Sequence, residues 1–316
     1  MSKYESTIVV TGGTAGLGVE AASLIAKQSP NKLVVIASRS SNDALAHIKA
    51  SNVEYIPLDL SKSQNIREFV QKLQSYPPIS ALLLNAALQF PAEVGFYDSG
   101  IERTFAITHV GNTLLFHLLA PRLTNDARII ITASGVHYTA KEEKTGMPEP
   151  NFTTAADVAR PDPKTATKDG RQRYTTAKLA NILWMYALER RIRKYNKPWT
   201  VNSFDPGLMP GSGLARDYDA ISRFIWFHIF PRITPLVRLI FGTDNIHTTA
   251  ESGAALARLA VDSNLKTVTG KYFEGLKERP SSTDSRNEVK QEDLWNWTVA
   301  ELAKDEAEKR RFESLD

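Results

Sequence analysis

The chain contains no cysteine. Disulfides, thiolate metal sites and cysteine nucleophiles are therefore excluded, and the composition is compatible with a reducing compartment. Histidine is scarce: His47, His109, His117, His137, His228 and His247 are the full set. None falls in an HExxH-type spacing, so no metal is expected. Long apolar runs are missing too. The most apolar stretch, Phe224 to Phe241, is broken by Pro231, Arg232, Pro235 and Arg238 and cannot span a bilayer as a helix. Blocks of like charge are also absent. The net charge is +4, but Lys and Arg are spread among acids, so a solvated surface is expected rather than a nucleic-acid arm. Strand-like sequence begins by about residue 7, leaving no room for a signal peptide, and a cytoplasmic location is expected.

What is present is ample material for a core. Of the 316 residues, 42% are hydrophobic, which suits one large domain. Apolar, β-rich runs recur at Thr7–Thr11, Leu33–Ala37, Val53–Leu58, Ile79–Asn85, Arg128–Ala133, Trp199–Phe204 and Val268–Phe273. Helical spacing lies between most of them, as in Asn65–Leu73 and Ile101–Leu119. Strands alternating with helices, and strands apolar on both faces, predict a doubly wound α/β domain over 1–316. Its sheet is expected to have seven parallel strands, with helices on both faces. Residues 137–173 are rich in Thr, Lys, Pro and Asp and read as a surface insertion. Residues 207–245 are too aromatic and aliphatic for a solvent loop, and 290–316 read as a C-terminal surface helix.

The most informative segment is Thr11-Gly12-Gly13-Thr14-Ala15-Gly16-Leu17-Gly18, set between a strand and a helix. Glycines let the backbone approach a ligand, and a helix N-terminus offers unpaired N–H groups to a diphosphate. Gly12, Thr14, Gly16, Leu17 and Gly18 are thus candidate nucleotide contacts in a Rossmann-type domain. A second element is Tyr174-Thr175-Thr176-Ala177-Lys178. One helical turn brings phenol and ammonium to the same face, and a nearby cation is expected to lower the phenol pKa toward the working range. An ordinary exposed helix pair is the plainer alternative. Ser134 ends a strand, where a hydroxyl reaches the ligand crevice or caps a turn. Asn85 and Ala86 end another; the amide there can bond its neighbours' backbone or a cofactor.

Taken together, Gly12-Gly13-Thr14-Ala15-Gly16-Leu17-Gly18, Asp59-Leu60, Asn85-Ala86-Ala87, Ser134, Tyr174 with Lys178, and Asp205-Pro206-Gly207 resemble the short-chain dehydrogenase/reductase family, over about residues 5–275. The words Leu84-Asn85-Ala86-Ala87, His109-Val110-Gly111 and Tyr174 through Asn181 are most similar to the branch of retinol dehydrogenases and light-dependent protochlorophyllide reductases. The resemblance implies that Tyr174 is the general acid or base and that Lys178 lowers its pKa and holds the nicotinamide ribose. It further implies that Ser134 polarises the substrate carbonyl. By the same resemblance Gly12, Gly16, Leu17 and Gly18 cradle the pyrophosphate, Asp59 and Leu60 flank the adenine, and Gly207 and Leu208 line the nicotinamide. Where NAD-preferring relatives carry an acid, this chain has Ser38-Arg39, and a guanidinium there pairs with a 2′-phosphate; NADP(H) is the expected cofactor.

One departure stands out. The family's usual relay asparagine in the helix after the fourth strand aligns with Thr108, and Asn112 lies one turn further on. Phe224, Trp226, Phe227, Phe230, Leu236, Leu239, Ile240 and Phe241 fall where the family builds its substrate lid. They imply an apolar or aromatic small-molecule substrate, with lid core packing and peripheral membrane contact as the alternatives. The insertion just before the helix that relatives use for tetramers implies a monomer or homodimer. The expected activity is an NADPH-dependent carbonyl reductase or alcohol dehydrogenase. C=C reduction, or nucleotide binding without turnover, are the competing readings.

Overall fold

In the computed structural model, the described residues are 3–90, 93–164, 169–210 and 243–316, with Phe224, 228–233, Leu236, Arg238 and Leu239 between them. Eight strands form one sheet in the order β3-β2-β1-β4-β5-β6-β7-β8. The strands are β1 Ser6–Thr11, β2 Lys32–Ser38, β3 Val53–Pro57, β4 Ile79–Leu84, β5 Leu123–Thr132, β6 Thr200–Asp205, β7 Lys271–Glu274 and β8 Lys277–Arg279. All neighbours pair in parallel except β7 and β8, an antiparallel hairpin in which Glu274 faces Lys277. The sheet therefore has one strand more than the apolar runs predict. β8 is Lys-Glu-Arg and fully exposed, so it leaves no hydrophobic signature; charge on a short edge strand guards against further pairing.

Alternation along the strands feeds two cores. Val9, Leu82, Ile129 and Ile131 face one side, beneath helices α3 Ser63–Lys72, α5 Gly111–Leu119 and α7 Gly170–Lys194. Ile8, Val10, Leu83 and Ile130 face the other, under α1 Gly16–Gln28 and α8 Thr249–Val261. Three further helices are short: α2 Ala44–Ile48, α4 Arg103–Phe105 and α6 Ala155–Ala159. A π-turn, Ala106–Val110, joins α4 to α5.

The segment expected as one C-terminal surface helix is instead two, α9 Glu288–Leu302 and α10 Glu306–Ser314. The break has a local cause: Asp305 caps the second helix by accepting from Glu308 N. Neither helix is merely superficial, because Leu294, Trp295, Val299 and Phe312 are buried in the first core. No described helix is long and apolar enough to cross a membrane.

Candidate active site at the carboxyl ends of the strands

The sheet order reverses between β1 and β4, the position where doubly wound folds open a ligand crevice. The glycine loop leaves β1 there. Gly12 and Gly16 take φ of +66° and +55°, and a side chain on Gly18 would place its Cβ 2.2 Å from the Gly12 carbonyl oxygen. Nothing lies within 4 Å of the direction a Gly16 side chain would take. Ala15 stands at the N-cap of helix α1, which has no side-chain cap and no acid in its first turn. An open cradle over an uncapped helix N-terminus fits a pyrophosphate.

The walls of this loop are tied by hydroxyls and amides. The Thr14 and Ser38 hydroxyls are 2.7 Å apart, and Ser38 Oγ donates to the Ser40 carbonyl. Arg39, next along, is exposed and has no hydrogen-bond or ion-pair partner among the described residues. Asn85 bonds its neighbours: its Nδ2 donates to the Thr11 carbonyl at 3.0 Å, and its Oδ1 accepts from Thr132 Oγ1 at 3.2 Å. Thr11 Oγ1 accepts from the backbone of both Asn85 and Ala86. Asp59 folds onto its own turn, accepting from the Ser61 N–H and hydroxyl. Leu60 is 7% exposed, and its side chain is packed in the core. A Cβ on Gly111 would lie 2.2 Å from the Leu60 carbonyl oxygen, which is why glycine starts α5.

The chemistry-bearing side chains gather at the end of β5. Lys178 is 2% exposed and donates from Nζ to the Thr132 carbonyl at 3.0 Å. The same Nζ lies 5.5 Å from the centroid of the half-buried Tyr174 ring. Asn181, one turn beyond Lys178, donates to the same Thr132 carbonyl at 3.2 Å. Ser134 follows two residues after Thr132. Its Oγ receives only a long contact from Val136 N, at 3.5 Å, so the hydroxyl is weakly held by its own turn.

Electrostatics depart from the sequence expectation. Burial, reinforced by the Asp205 carboxylate, pushes the Tyr174 phenol above its ordinary range rather than lowering it. Burial lowers the Lys178 ammonium to about 8, against the opposing pull of Asp205. Spacing placed the cation beside the ring, but it could not reveal how deeply Lys178 is buried. Asp205 itself, 1% exposed, accepts from Gly207 N, Asn245 Nδ2 and the Tyr272 hydroxyl. A side chain on Gly207 would collide with Asn245 Oδ1 at 2.4 Å, and Leu208 pairs its backbone with Asn245 and His247.

Thr108 and Asn112 take separate partners. Thr108 Oγ1 donates to the Leu88 carbonyl and accepts from its N–H, pinning the loop after β4. Asn112 donates to the carbonyls of Ala86, Ile107 and Thr108 and accepts from Thr11 Oγ1. The π-turn Ala106–Val110 lies just before this amide in the chain. Neither side chain touches Lys178 in the described contacts. Of the apolar lid segment, Trp226, Phe227, Ile240 and Phe241 lie outside the described residues, while Phe224, Leu236 and Leu239 are exposed. The residues that spacing did not single out, Thr11, Asn181, Asn245 and His137, act through partners distant in sequence.

The crevice is thus lined by a glycine loop, with Tyr174, Lys178 and Ser134 gathered near the end of β5. The family model described as short chain dehydrogenase matches residues 6–143, and a second, the AcuH dehydrogenase domain, matches 214–308. Short-chain dehydrogenase TIC 32 A, chloroplastic, of Brassica napus is 29% identical, over 93% of this chain and 87% of its own. The polyprenol dehydrogenase of Homo sapiens is 28% identical, over 91% of this chain and 82% of its own. Among solved structures, one from Mycobacterium paratuberculosis superposes with TM-score 0.68 at 20% identity, covering 95% of this chain and 94% of that one. A short-chain dehydrogenase from Burkholderia cenocepacia J2315 in complex with NADP gives TM-score 0.60 at 17% identity, covering 86% and 96%. The chain is thus similar to the short-chain dehydrogenase/reductase family and to oxidoreductases of that kind.

Proposed function

We propose that this chain is an NADPH-dependent carbonyl reductase or alcohol dehydrogenase for an apolar or aromatic small molecule, acting as a monomer or homodimer in the cytoplasm. The observation that carries the reading is the half-buried Tyr174 beside the buried Lys178 on the carboxyl end of β5, with Ser134 two residues beyond the carbonyl that anchors Lys178. A phenol whose pKa is raised keeps its proton at neutral pH, which suits a general acid in reduction. The Ser134 hydroxyl, weakly held by its own turn, is free to donate where negative charge develops on a carbonyl oxygen. Lys178 keeps a positive charge near the phenol while Thr132 fixes its position.

NADPH, when bound, supplies the hydride. Gly12, Thr14, Gly16, Leu17 and Gly18 would hold its pyrophosphate at the α1 N-terminus, and Ser38 and Arg39 its 2′-phosphate. Asp59 and the Leu60 backbone would lie toward the adenine, and Asn85, Ala86, Gly207 and Leu208 toward the nicotinamide. NADP in the Burkholderia neighbour and the name of the human relative, which acts on a polyprenol, support this cofactor and substrate class. The test is to follow NADPH oxidation across a panel of ketones, aldehydes and enones. Turnover confined to carbonyls is expected. Turnover confined to enones would replace this reading with C=C reduction, and tight NADPH binding without oxidation would replace it with a nucleotide sensor.

A further inference from the structure

The turn that carries Ser134 is held from behind by a histidine. His137 closes the 3₁₀ turn Gly135–His137, is fully buried, and packs against Tyr138 and Tyr272 at centroid distances of 4.0 and 4.9 Å. Its Nδ1 lies 2.7 Å from the Ser134 carbonyl oxygen, which can only accept, so Nδ1 carries the proton. Its Nε2 receives the Ser282 backbone N–H at 3.0 Å, so Nε2 carries none. The two bonds together define a neutral Nδ1–H tautomer. Burial agrees, lowering the imidazole to about 4 against the opposing carboxylates of Asp205 and Glu142.

Ser282 is itself fixed. The Tyr138 hydroxyl donates to the Pro280 carbonyl at 2.5 Å, Thr283 N donates to Glu142 Oε1 at 2.7 Å, and Ser285 Oγ donates to the Ser282 carbonyl at 2.7 Å. The Ser134 hydroxyl has only its 3.5 Å contact within the turn, so its direction depends on the backbone that His137 grips. On the far side, a Cβ on Gly135 would stand 3.0 Å from Asp205 Oδ2, which limits movement of that peptide.

We infer that His137 is a positioning residue for the Ser134 hydroxyl, bracing the serine peptide against the Ser282 backbone so that segment 280–285 controls the chemical step from behind the crevice. The inference rests on the proposed carbonyl reduction, and its test separates the two ring nitrogens. Asparagine reproduces the reach of Nδ1, and glutamine the reach of Nε2. His137→Gln should lower kcat about tenfold or more with KM for NADPH unchanged, while His137→Asn, which can still donate to Ser134, should lose only about threefold. In a Ser134→Ala background, His137→Gln should cost nothing further. Equal losses in the two variants, or a full additional loss in that background, would overturn the inference. Independently of turnover, ¹⁵N NMR of the histidines, assigned with His137→Gln, should show a neutral Nδ1–H tautomer that persists below pH 6. An Nε2–H tautomer or an ordinary titration there would overturn it. Failure of the wild-type protein to oxidise NADPH would overturn the carbonyl-reductase reading, and the NMR result would still decide the histidine's tautomer.

Discussion

The nucleotide side of the crevice and the seam that seats the carboxyl-terminal helices are held together by different chemistry. The first is made of glycine turns, the Thr11, Asn85 and Thr132 bonds, and aliphatic strands packed under α1 and α8. The second is lined by three buried histidines, each touching a different part of the C-terminal segment. His109 Nε2 lies 3.4 Å from Thr298 Oγ1. His117 stacks on Phe312 at 4.6 Å and meets Trp295 edge-on at 5.3 Å. His137 accepts from Ser282. Burial lowers these imidazoles to about 4, 3 and 4 respectively. The second side therefore holds three buried imidazoles that mild acid would have to charge.

The largest expected effect follows from that contrast. Above the ordinary histidine pKa of 6.5, neither folded nor unfolded chain binds these protons. Below it the unfolded chain binds them first, so stability falls as the pH drops from 6.5 toward 4, by up to about 1.4 kcal/mol per pH unit for each histidine. Calorimetric melting across this range should show a steep decline, with protection of α9 and α10 in hydrogen exchange lost before that of β1 and β4. A flat profile, or simultaneous loss on both sides, would break the comparison.

A smaller effect sharpens it. Both ring nitrogens of His117 are buried without a hydrogen-bond partner among the described residues, and the ring sits among Phe116, Trp184, Trp295 and Phe312. His117→Phe should keep the stacks, remove an unsatisfied polar group worth about 1–3 kcal/mol, and raise the melting temperature by a few degrees. It should also flatten the acid slope by one histidine's share. A lower melting temperature at neutral pH would contradict the assignment.

The smallest effect belongs to the nucleotide side and leaves stability alone. Arg39→Asp should weaken NADPH binding about tenfold or more while changing NADH binding little, because only the former offers a 2′-phosphate to the guanidinium. Equal effects on the two nucleotides, read by fluorescence titration, would remove Arg39 from cofactor choice.

The same contrast explains what could be read from the sequence. Gly12 through Gly18, Ser134, and Tyr174 with Lys178 are short-range patterns, and each sits at the carboxyl end of the sheet as its spacing implies. The seven apolar strands are all present, the central ones buried on both faces. Features that depend on distant partners were not legible. His137 and Ser282 are 145 residues apart, and Lys178 meets a carbonyl 46 residues before it. β8 carries no apolar residue to betray it. The close approach of Gly111 to the Leu60 carbonyl oxygen, 51 residues away in sequence, was not legible either. The raised phenol pKa reflects burial and Asp205, neither of which a Tyr-to-Lys spacing reports.

The claim that the Tyr174 phenol is the proton donor is tested most directly by comparing Tyr174→Phe with wild type at saturating NADPH, using a carbonyl substrate from the panel. The expected result is a kcat lower by about 10²–10⁴ with NADPH affinity unchanged. A kcat within a few-fold of wild type, with the nucleotide still bound, would contradict it.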